Sequence, residues 1–206
     1  SLADQQRYAE ALEMCLTTAE TRPASEVVAV ITQFLPASDA QDQAELNRRV
    51  QSLIAKALDA DGENVELLMS VAFRYVTENN YDPAIQLFQQ VVKLNPKHVL
   101  ALNNLATLLS EDPQRLAEAE RYVERAIAVV GRTPALLDTL GMILVRAGRF
   151  PEAVRALEES VAGVVSDPRY YFHLAVAYQR ANRESEAQAA LKQAERYGID
   201  RAVLTS

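Results

Sequence analysis

The sequence has 206 residues, of which 49% are hydrophobic and 24% are charged, and its formal net charge is −7 at pH 7. This composition excludes a disordered chain, and the acidic balance argues against a surface that binds nucleic acid or an anionic membrane. No run of about 18 apolar residues is present, so we expect no direct membrane contact. Cys15 is the single cysteine, which excludes an internal disulfide and a cysteine zinc site. With 33 alanines and six glycines, the composition is typical of a chain of helices.

The start of the sequence predicts three helices that are less regular than those that follow. The first lies within residues 1–24, and the spacing of 12 residues between Ala11 and Pro23 recurs later in the chain. We interpret 1–24 as the second helix of a truncated repeat and expect the chain to be a fragment of a longer protein. The 17 arginines against four lysines indicate a bacterial source. Residues 25–64 predict a degenerate repeat of two helices with a lengthened turn at 36–39.

Four regular repeats of about 34 residues follow, each predicted to be a pair of antiparallel helices joined by a short turn. Apolar residues at i, i+3, i+4 and i+7 mark the first helix of each pair, as in Leu68, Val71, Ala72 and Tyr75. An extra residue within 110–115 shifts the register once, and the pattern then resumes. The repeats are 65–98, 99–133, 134–167 and 168–201, followed by 202–206 as the C-terminal end.

A small residue recurs at the same place in the first helix of each pair, where the two helices must approach closely. These positions are Ala72, Ala106, Gly141 and Ala175. Gly141 has the smallest side chain of the four, so we predict the closest approach of two paired helices there. A leucine at that position would overpack the interface between the helices.

These repeats resemble the tetratricopeptide repeat (TPR) family. In residues 65–98 the match is carried by Tyr75, Ala84, Phe88 and the closing Pro96. The resemblance covers four full repeats and implies an all-α fold, a TPR helical-hairpin solenoid. In that architecture, antiparallel helix pairs stack into a right-handed superhelix that forms one continuous solenoid domain. The later repeats depart from the pattern, because no proline closes them and no repeat has the family's leading tryptophan.

No residue pattern indicates catalysis. The two histidines, His98 and His173, are 75 residues apart and have no further ligand at metal-binding spacing. The sequence contains no glycine-rich phosphate loop and no nucleophile elbow. The adjacent carboxylates of Glu158 and Glu159 point to different sides of a helix. We therefore expect no enzyme activity, no catalytic residue, no metal and no cofactor.

In the TPR family the first helices of successive pairs line a concave groove that binds peptides, and this implies a set of groove residues here. Carried over by position, they are Met69, Phe73, Asn103, Asn104, Thr107, Asp138, Met142, Arg146, Arg169, Phe172, His173 and Arg180. The asparagines can donate to and accept from a peptide backbone, and the Met and Phe side chains offer adaptable apolar contacts. The three arginines favour an acidic partner segment with an apolar anchor, and Asp138 is expected to neutralise one of them.

The leading hypothesis is a non-catalytic protein–protein interaction scaffold that binds a peptide segment of a partner in this groove, with no nucleic acid partner. One alternative is a structural spacer or oligomerisation array that self-associates weakly through open ends. Those ends are marked by Tyr8, Leu12, Cys15, Ile199, Val203 and Leu204. Another alternative is a regulatory module of an enzyme whose catalytic domain lies outside the sequence. We expect the cytoplasm as the compartment, with the bacterial periplasm or envelope as the alternative.

Overall fold

The computed structural model describes residues 2–34, 44–163 and 167–199. In these ranges the backbone forms eleven α-helices and one 3₁₀ turn, and it contains no β-strand. The helices are α1 Leu2–Thr18, α2 Ala24–Phe34, α3 Ala44–Asp61, α4 Val65–Thr77, α5 Tyr81–Leu94, α6 Val99–Leu109, α7 Leu116–Val130, α8 Pro134–Arg146, α9 Phe150–Ser160, α10 Pro168–Arg180 and α11 Glu184–Arg196. Outside the described residues lie the turn at 36–39, the side chain of Tyr8, and Val203 and Leu204.

The chain divides into two compact units, Ser1–Pro96 with α1 to α5 and Lys97–Ser206 with α6 to α11. Consecutive helices pair within each unit: α4 with α5 in the first, and α6 with α7, α8 with α9 and α10 with α11 in the second. The predicted all-α fold of helical hairpins is confirmed, whereas the boundaries of the individual repeats and self-association through the ends stay predictions. None of the described helices has the length and apolar character that crossing a membrane requires.

The core of the first unit is built from the inward-facing residues of its helices. Phe88 is fully buried, and its ring meets that of Phe73 edge to face, with the ring centroids 5.6 Å apart. Ala72 and Ala84 are also fully buried, as the close approach of α4 and α5 requires. Leu12 is fully buried as well, because α1 contacts both α2 and α3. The prediction that Leu12 lies on an uncovered end is therefore wrong.

A residue with positive φ recurs in the turns between paired helices. Asn79 has φ 54°, Gly148 has φ 74° and Asn182 has φ 58°. Glycine and asparagine tolerate this left-handed conformation better than other residues, so the short turns select them. Between α6 and α7 the 3₁₀ turn Pro113–Arg115 stands instead, which is where the sequence carries its extra residue.

Candidate functional site

In the second unit the first helices of three hairpins lie side by side, because α8 contacts both α6 and α10. One face of these helices lines a groove with a volume of about 400 Å³. Residues three or four positions apart on a helix share a face, which explains the spacing of the lining residues. They are Asn103, Thr107 and Ser110 from α6 and its C-cap, Ala135, Asp138, Thr139, Met142 and Arg146 from α8, and Arg169, Tyr170 and His173 from α10.

Most of the groove residues expected in this unit are in that lining. The structure brings together Asn103, Thr107, Asp138, Met142, Arg146, Arg169 and His173. Thr139, which the same carry-over places beside Asp138, lines the groove as well. The structure adds Ser110, Ala135 and Tyr170, each one helical turn from a predicted position. Tyr170, for example, precedes His173 by three residues, so helical spacing from His173 was the signal that identifies it.

Three residues expected in the groove are not part of its lining: Asn104, Phe172 and Arg180. The Asn104 amide Nδ2 donates to Leu100 O at 2.7 Å within its own helix. Phe172 is half-buried, with its ring centroid 6.1 Å from that of His173, and Arg180 is exposed in the last turn of α10. None of these three side chains therefore contributes to the lining that α6, α8 and α10 form.

Met69 and Phe73, the other two expected groove residues, belong to the first unit. Met69 is only 8% exposed, so it is a core residue of that unit and does not offer the exposed apolar contact that was expected. Phe73 is half-buried and lines a separate groove between α2 and α4. The difference arises because α4 contacts α2 and α3 of the irregular first repeats, whose packing the regular pattern does not predict.

Asp138 and His173 form a hydrogen-bonded pair in the groove wall of the second unit. His173 Nδ1 lies 2.8 Å from Asp138 Oδ1 and 3.0 Å from Oδ2, and Asp138 is 9% exposed. Asp138 was expected to neutralise an arginine. It pairs with the imidazole, and its charge also acts on Arg169, adding to the larger effect of Asp167 that raises the pKa of that guanidinium. Because a carboxylate accepts from Nδ1, the neutral ring carries its proton there and its Nε2 is an acceptor.

The two arginines that line the groove are already paired with carboxylates. Arg146 Nη2 donates to Glu111 Oε1 at 2.6 Å, and its Nη1 donates to Ser110 Oγ at 2.9 Å. Arg169 donates to Asp167 through Nε and Nη2, the latter at 2.6 Å, and these hydrogen bonds lower the pKa of the Asp167 carboxyl from its ordinary value. The positive excess expected at this end of the groove is therefore reduced.

One polar atom of the groove wall is left unsatisfied. Asn103 Oδ1 is buried and has no hydrogen-bond partner among the described residues. A buried acceptor without a donor costs about 1–3 kcal/mol relative to the same acceptor in a hydrogen bond. Asn103 also lines the groove, so a rotation of its side chain brings this acceptor to a ligand that supplies an N–H or O–H group.

The ionisable side chains do not assemble a metal site in the described ranges. No group of three or more His, Cys, Asp or Glu side chains there is placed to hold a metal ion. The arrangement that the groove does provide is a row of hydrogen-bond acceptors on three adjacent helices, with two paired arginines and one methionine beside them.

Comparison with known proteins agrees with this architecture. Structures with a similar fold include the MamA protein (TM-score 0.65, 20% identity, covering 89% of this chain and 96% of that chain). PilF of Pseudomonas aeruginosa aligns with a TM-score of 0.65 at 16% identity, covering 86% of this chain and 78% of that chain. YrrB, described as a TPR protein with an unusual peptide-binding site, aligns with a TM-score of 0.63 at 16% identity, covering 95% and 96%. At sequence identities this low, the similarity shows a shared fold and no more.

The search of curated proteins found no match. A family model described as tetratricopeptide repeat matches residues 74–135 and 139–202. These two segments together make up more than half of the chain and lie over the regular helical hairpins. The chain therefore belongs to the tetratricopeptide repeat family.

Proposed function

We propose that the chain is a non-catalytic interaction scaffold whose groove in the second unit binds an extended peptide segment of a partner protein. TPR proteins are typically interaction modules without catalytic activity, and YrrB, which has a similar fold, carries a peptide-binding site. The observation that carries the proposal is the buried acceptor Asn103 Oδ1, which faces no donor in the described part of the chain.

The wall around this atom is rich in further acceptors. The hydroxyl groups of Thr107 and Thr139 donate to Asn103 O and Ala135 O in their own helices, both at 3.1 Å, so their lone pairs are free to accept. In the neutral imidazole whose Nδ1–H donates to Asp138, His173 Nε2 is another acceptor. An extended peptide presents backbone N–H donors at regular intervals, and its main chain therefore complements this wall.

The side chains of the groove favour an apolar anchor on the ligand, next to an acidic residue. Met142 is half-buried in the lining and gives an adaptable apolar contact. Arg146 and Arg169 are the cations of the lining, and both are paired and solvent-accessible. Each contributes about 0.5 kcal/mol or less to the binding of a ligand carboxylate. We expect an affinity in the micromolar range that decreases with salt.

The test is selection of peptides from a random library on the 206-residue chain, followed by fluorescence anisotropy with the selected peptides. Asn103→Leu removes the unsatisfied acceptor, and we expect it to weaken binding about five-fold or more. Asn104→Leu is the matched control, because its amide is bonded within α6 and does not line the groove. We expect it to leave the affinity unchanged.

A second measurement separates loss of the hydrogen bond from a change in groove shape. Methylation of single backbone nitrogens of the selected peptide removes one donor at a time. At one position, methylation should weaken binding to the parent chain but should not weaken binding to the Asn103→Leu variant. If no peptide is selected, or if Asn103→Leu binds as tightly as the parent, the proposal is wrong.

A further inference from the structure

The first unit contains a second groove, which lies between α2 and α4 and has a volume of about 520 Å³. Its lining contains both apolar and polar side chains. The lining residues are Ser25, Glu26, Ala29 and Thr32 from α2, with Asn64, Glu66, Leu67, Ser70 and Phe73 from α4 and its N-cap. None of these nine described residues is basic.

Three polar residues of this lining, Thr32, Ser70 and Asn64, each donate a hydrogen bond inside the protein. Thr32 Oγ1 donates to Val28 O at 2.9 Å, and Ser70 Oγ donates to Leu67 O at 2.9 Å. Asn64 Nδ2 donates to an Asp61 carboxylate oxygen at 2.8 Å. The hydroxyl oxygens of Thr32 and Ser70 therefore offer acceptor lone pairs to the groove. A ligand that contacts these oxygens must bring donors.

Charge favours the same kind of ligand. Glu26 and Glu66 lie in the first turns of α2 and α4. Each helix N-terminus carries about half a positive charge, so two full carboxylate charges outweigh the two helix ends. The cation beside them is Arg22, whose Nη1 is 3.5 Å from Glu26 Oε2, with both side chains more than half exposed. A pair of this kind contributes little and leaves the carboxylate available.

The distribution of charge along the chain supports this assignment. Residues 1–96 contain 14 acidic and 7 basic residues, whereas residues 97–206 contain 14 of each. The whole net charge of −7 therefore lies in the first unit. An acidic unit with a donor-poor groove attracts cationic segments over a Debye length of about 8–10 Å at moderate salt.

We propose that the groove between α2 and α4 is a second binding site, selective for a partner segment that carries lysine or arginine beside aliphatic side chains. The ammonium or guanidinium group supplies several donors and the positive charge that Glu26 and Glu66 complement. The methylene stem of that side chain and its aliphatic neighbours cover the apolar lining residues Ala29, Leu67 and Phe73. This proposal is independent of the proposed function of the second unit.

The probe is a fluorescein-labelled nine-residue peptide in which lysine, leucine and alanine alternate, with matched peptides that carry glutamine or glutamate in place of lysine. The complete chain is titrated against each by fluorescence anisotropy at low and moderate salt. We expect the lysine peptide to bind more tightly than the glutamine peptide, and the difference to shrink as salt increases. The glutamate peptide fits the groove of the second unit instead, so Ala29→Arg should leave its binding unchanged.

Variants then locate the site. Glu26→Gln and Glu66→Gln should each weaken binding of the lysine peptide about two- to five-fold. Glu20→Gln, an exposed carboxylate of the same unit outside the groove, removes the same charge and should have no comparable effect. Ala29→Arg places a cation and bulk in the groove and should abolish binding, whereas Ala55→Arg on the exposed face of α3 should not.

Three results would overturn the proposal. The first is equal binding of the lysine and glutamine peptides. The second is a loss in Glu20→Gln as large as in Glu26→Gln, which would show attraction to the unit as a whole. The third is that Asn103→Leu loses binding of the lysine peptide while Ala29→Arg keeps it, which would place the peptide in the second unit. Far-ultraviolet circular dichroism confirms that each variant keeps its helices.

Discussion

Gly141 on α8 lies directly against Leu157 on α9. A Cβ atom added at Gly141 would overlap Leu157 Cγ and would lie 2.8 Å from Leu157 Cδ2. Leu157 is fully buried, so it can move only by shifting other core side chains. The equivalent positions in the other repeats carry alanine, so the glycine is what permits α8 and α9 to meet at this distance.

We predict that Gly141→Leu lowers the free energy of unfolding by about 3 kcal/mol, because the new side chain must displace Leu157 or separate the two helices. Gly141→Ala should also destabilise, although less, since the gain of about 1 kcal/mol in helix propensity opposes the overlap. Urea denaturation followed by circular dichroism measures both. Gly163→Ala is the control, because nothing lies within 4 Å of a Cβ added there. A Gly141→Leu variant as stable as the parent would contradict this packing of α8 on α9.

Arg74 is a buried charge in the first unit. Its side chain is 2% exposed, and its Nε lies 2.8 Å from Glu78 Oε1, one turn further along. Glu78→Ala removes this partner carboxylate and should lower the free energy of unfolding by about 3 kcal/mol. Arg74→Met replaces the charge with an apolar side chain of similar length and should change stability by less than about 1 kcal/mol.

Thermal and urea denaturation of the two variants make the comparison. Glu63→Ala removes an exposed carboxylate from the same unit and should stay within about 0.5 kcal/mol of the parent. Equal losses in Arg74→Met and Glu78→Ala would mean that the ion pair itself, rather than the loss of a carboxylate beside a buried charge, governs stability here.

Glu111 restrains the positive charge of Arg146 at the groove of the second unit. Their shortest distance is 2.6 Å, and the Glu111 side chain is more than half exposed. Glu111→Gln removes the carboxylate partner of the Arg146 guanidinium. It should tighten binding of the glutamate-bearing probe peptide about two- to five-fold at low salt. Fluorescence anisotropy measures the change. Glu124→Gln removes an exposed carboxylate of α7 and should leave the affinity unchanged. Equal affinities of Glu111→Gln and the parent would show that Arg146 does not contact an acidic ligand.

The Glu186 carboxylate makes the stability of the second unit depend on pH. Hydrogen bonds from Ser185 Oγ at 2.6 Å and Arg183 Nε at 2.9 Å lower the pKa of Glu186 from 4.5 to about 2. A group with a lowered folded-state pKa contributes stability that is complete above the unfolded-state pKa. That contribution is lost as the pH falls from about 4.5 through about 2.

We therefore expect the urea midpoint to fall over this acidic range, and to fall less steeply in Glu186→Gln, which has no proton to bind. Ser185→Ala removes one of the two donors and should give an intermediate slope. Parallel pH profiles for the parent and Glu186→Gln would contradict the assignment.

The repeated helical hairpins could be predicted from the sequence because they rest on local spacing. Small residues such as Ala72 and Ala84 recur with the period of the repeat, and the structure buries both. The resemblance to the TPR family implied Asn103, Asp138 and Met142 as groove residues, and the structure places all three in the lining of one groove. Met69 is the exception, because its burial depends on the irregular helices that surround α4.

The sequence by itself therefore determined the helical hairpins, because these follow from periodicity within single helices, and the resemblance to the TPR family supplied the expected groove residues. Only the tertiary structure decided which polar groups among those residues are available. Arg146 is paired with Glu111, which lies 35 residues away, and His173 with Asp138, also 35 residues away, while Asn103 Oδ1 is left without a donor. Hydrogen bonds between neighbouring repeats depend on side-chain reach and rotamers at helix contacts, and no local pattern encodes these.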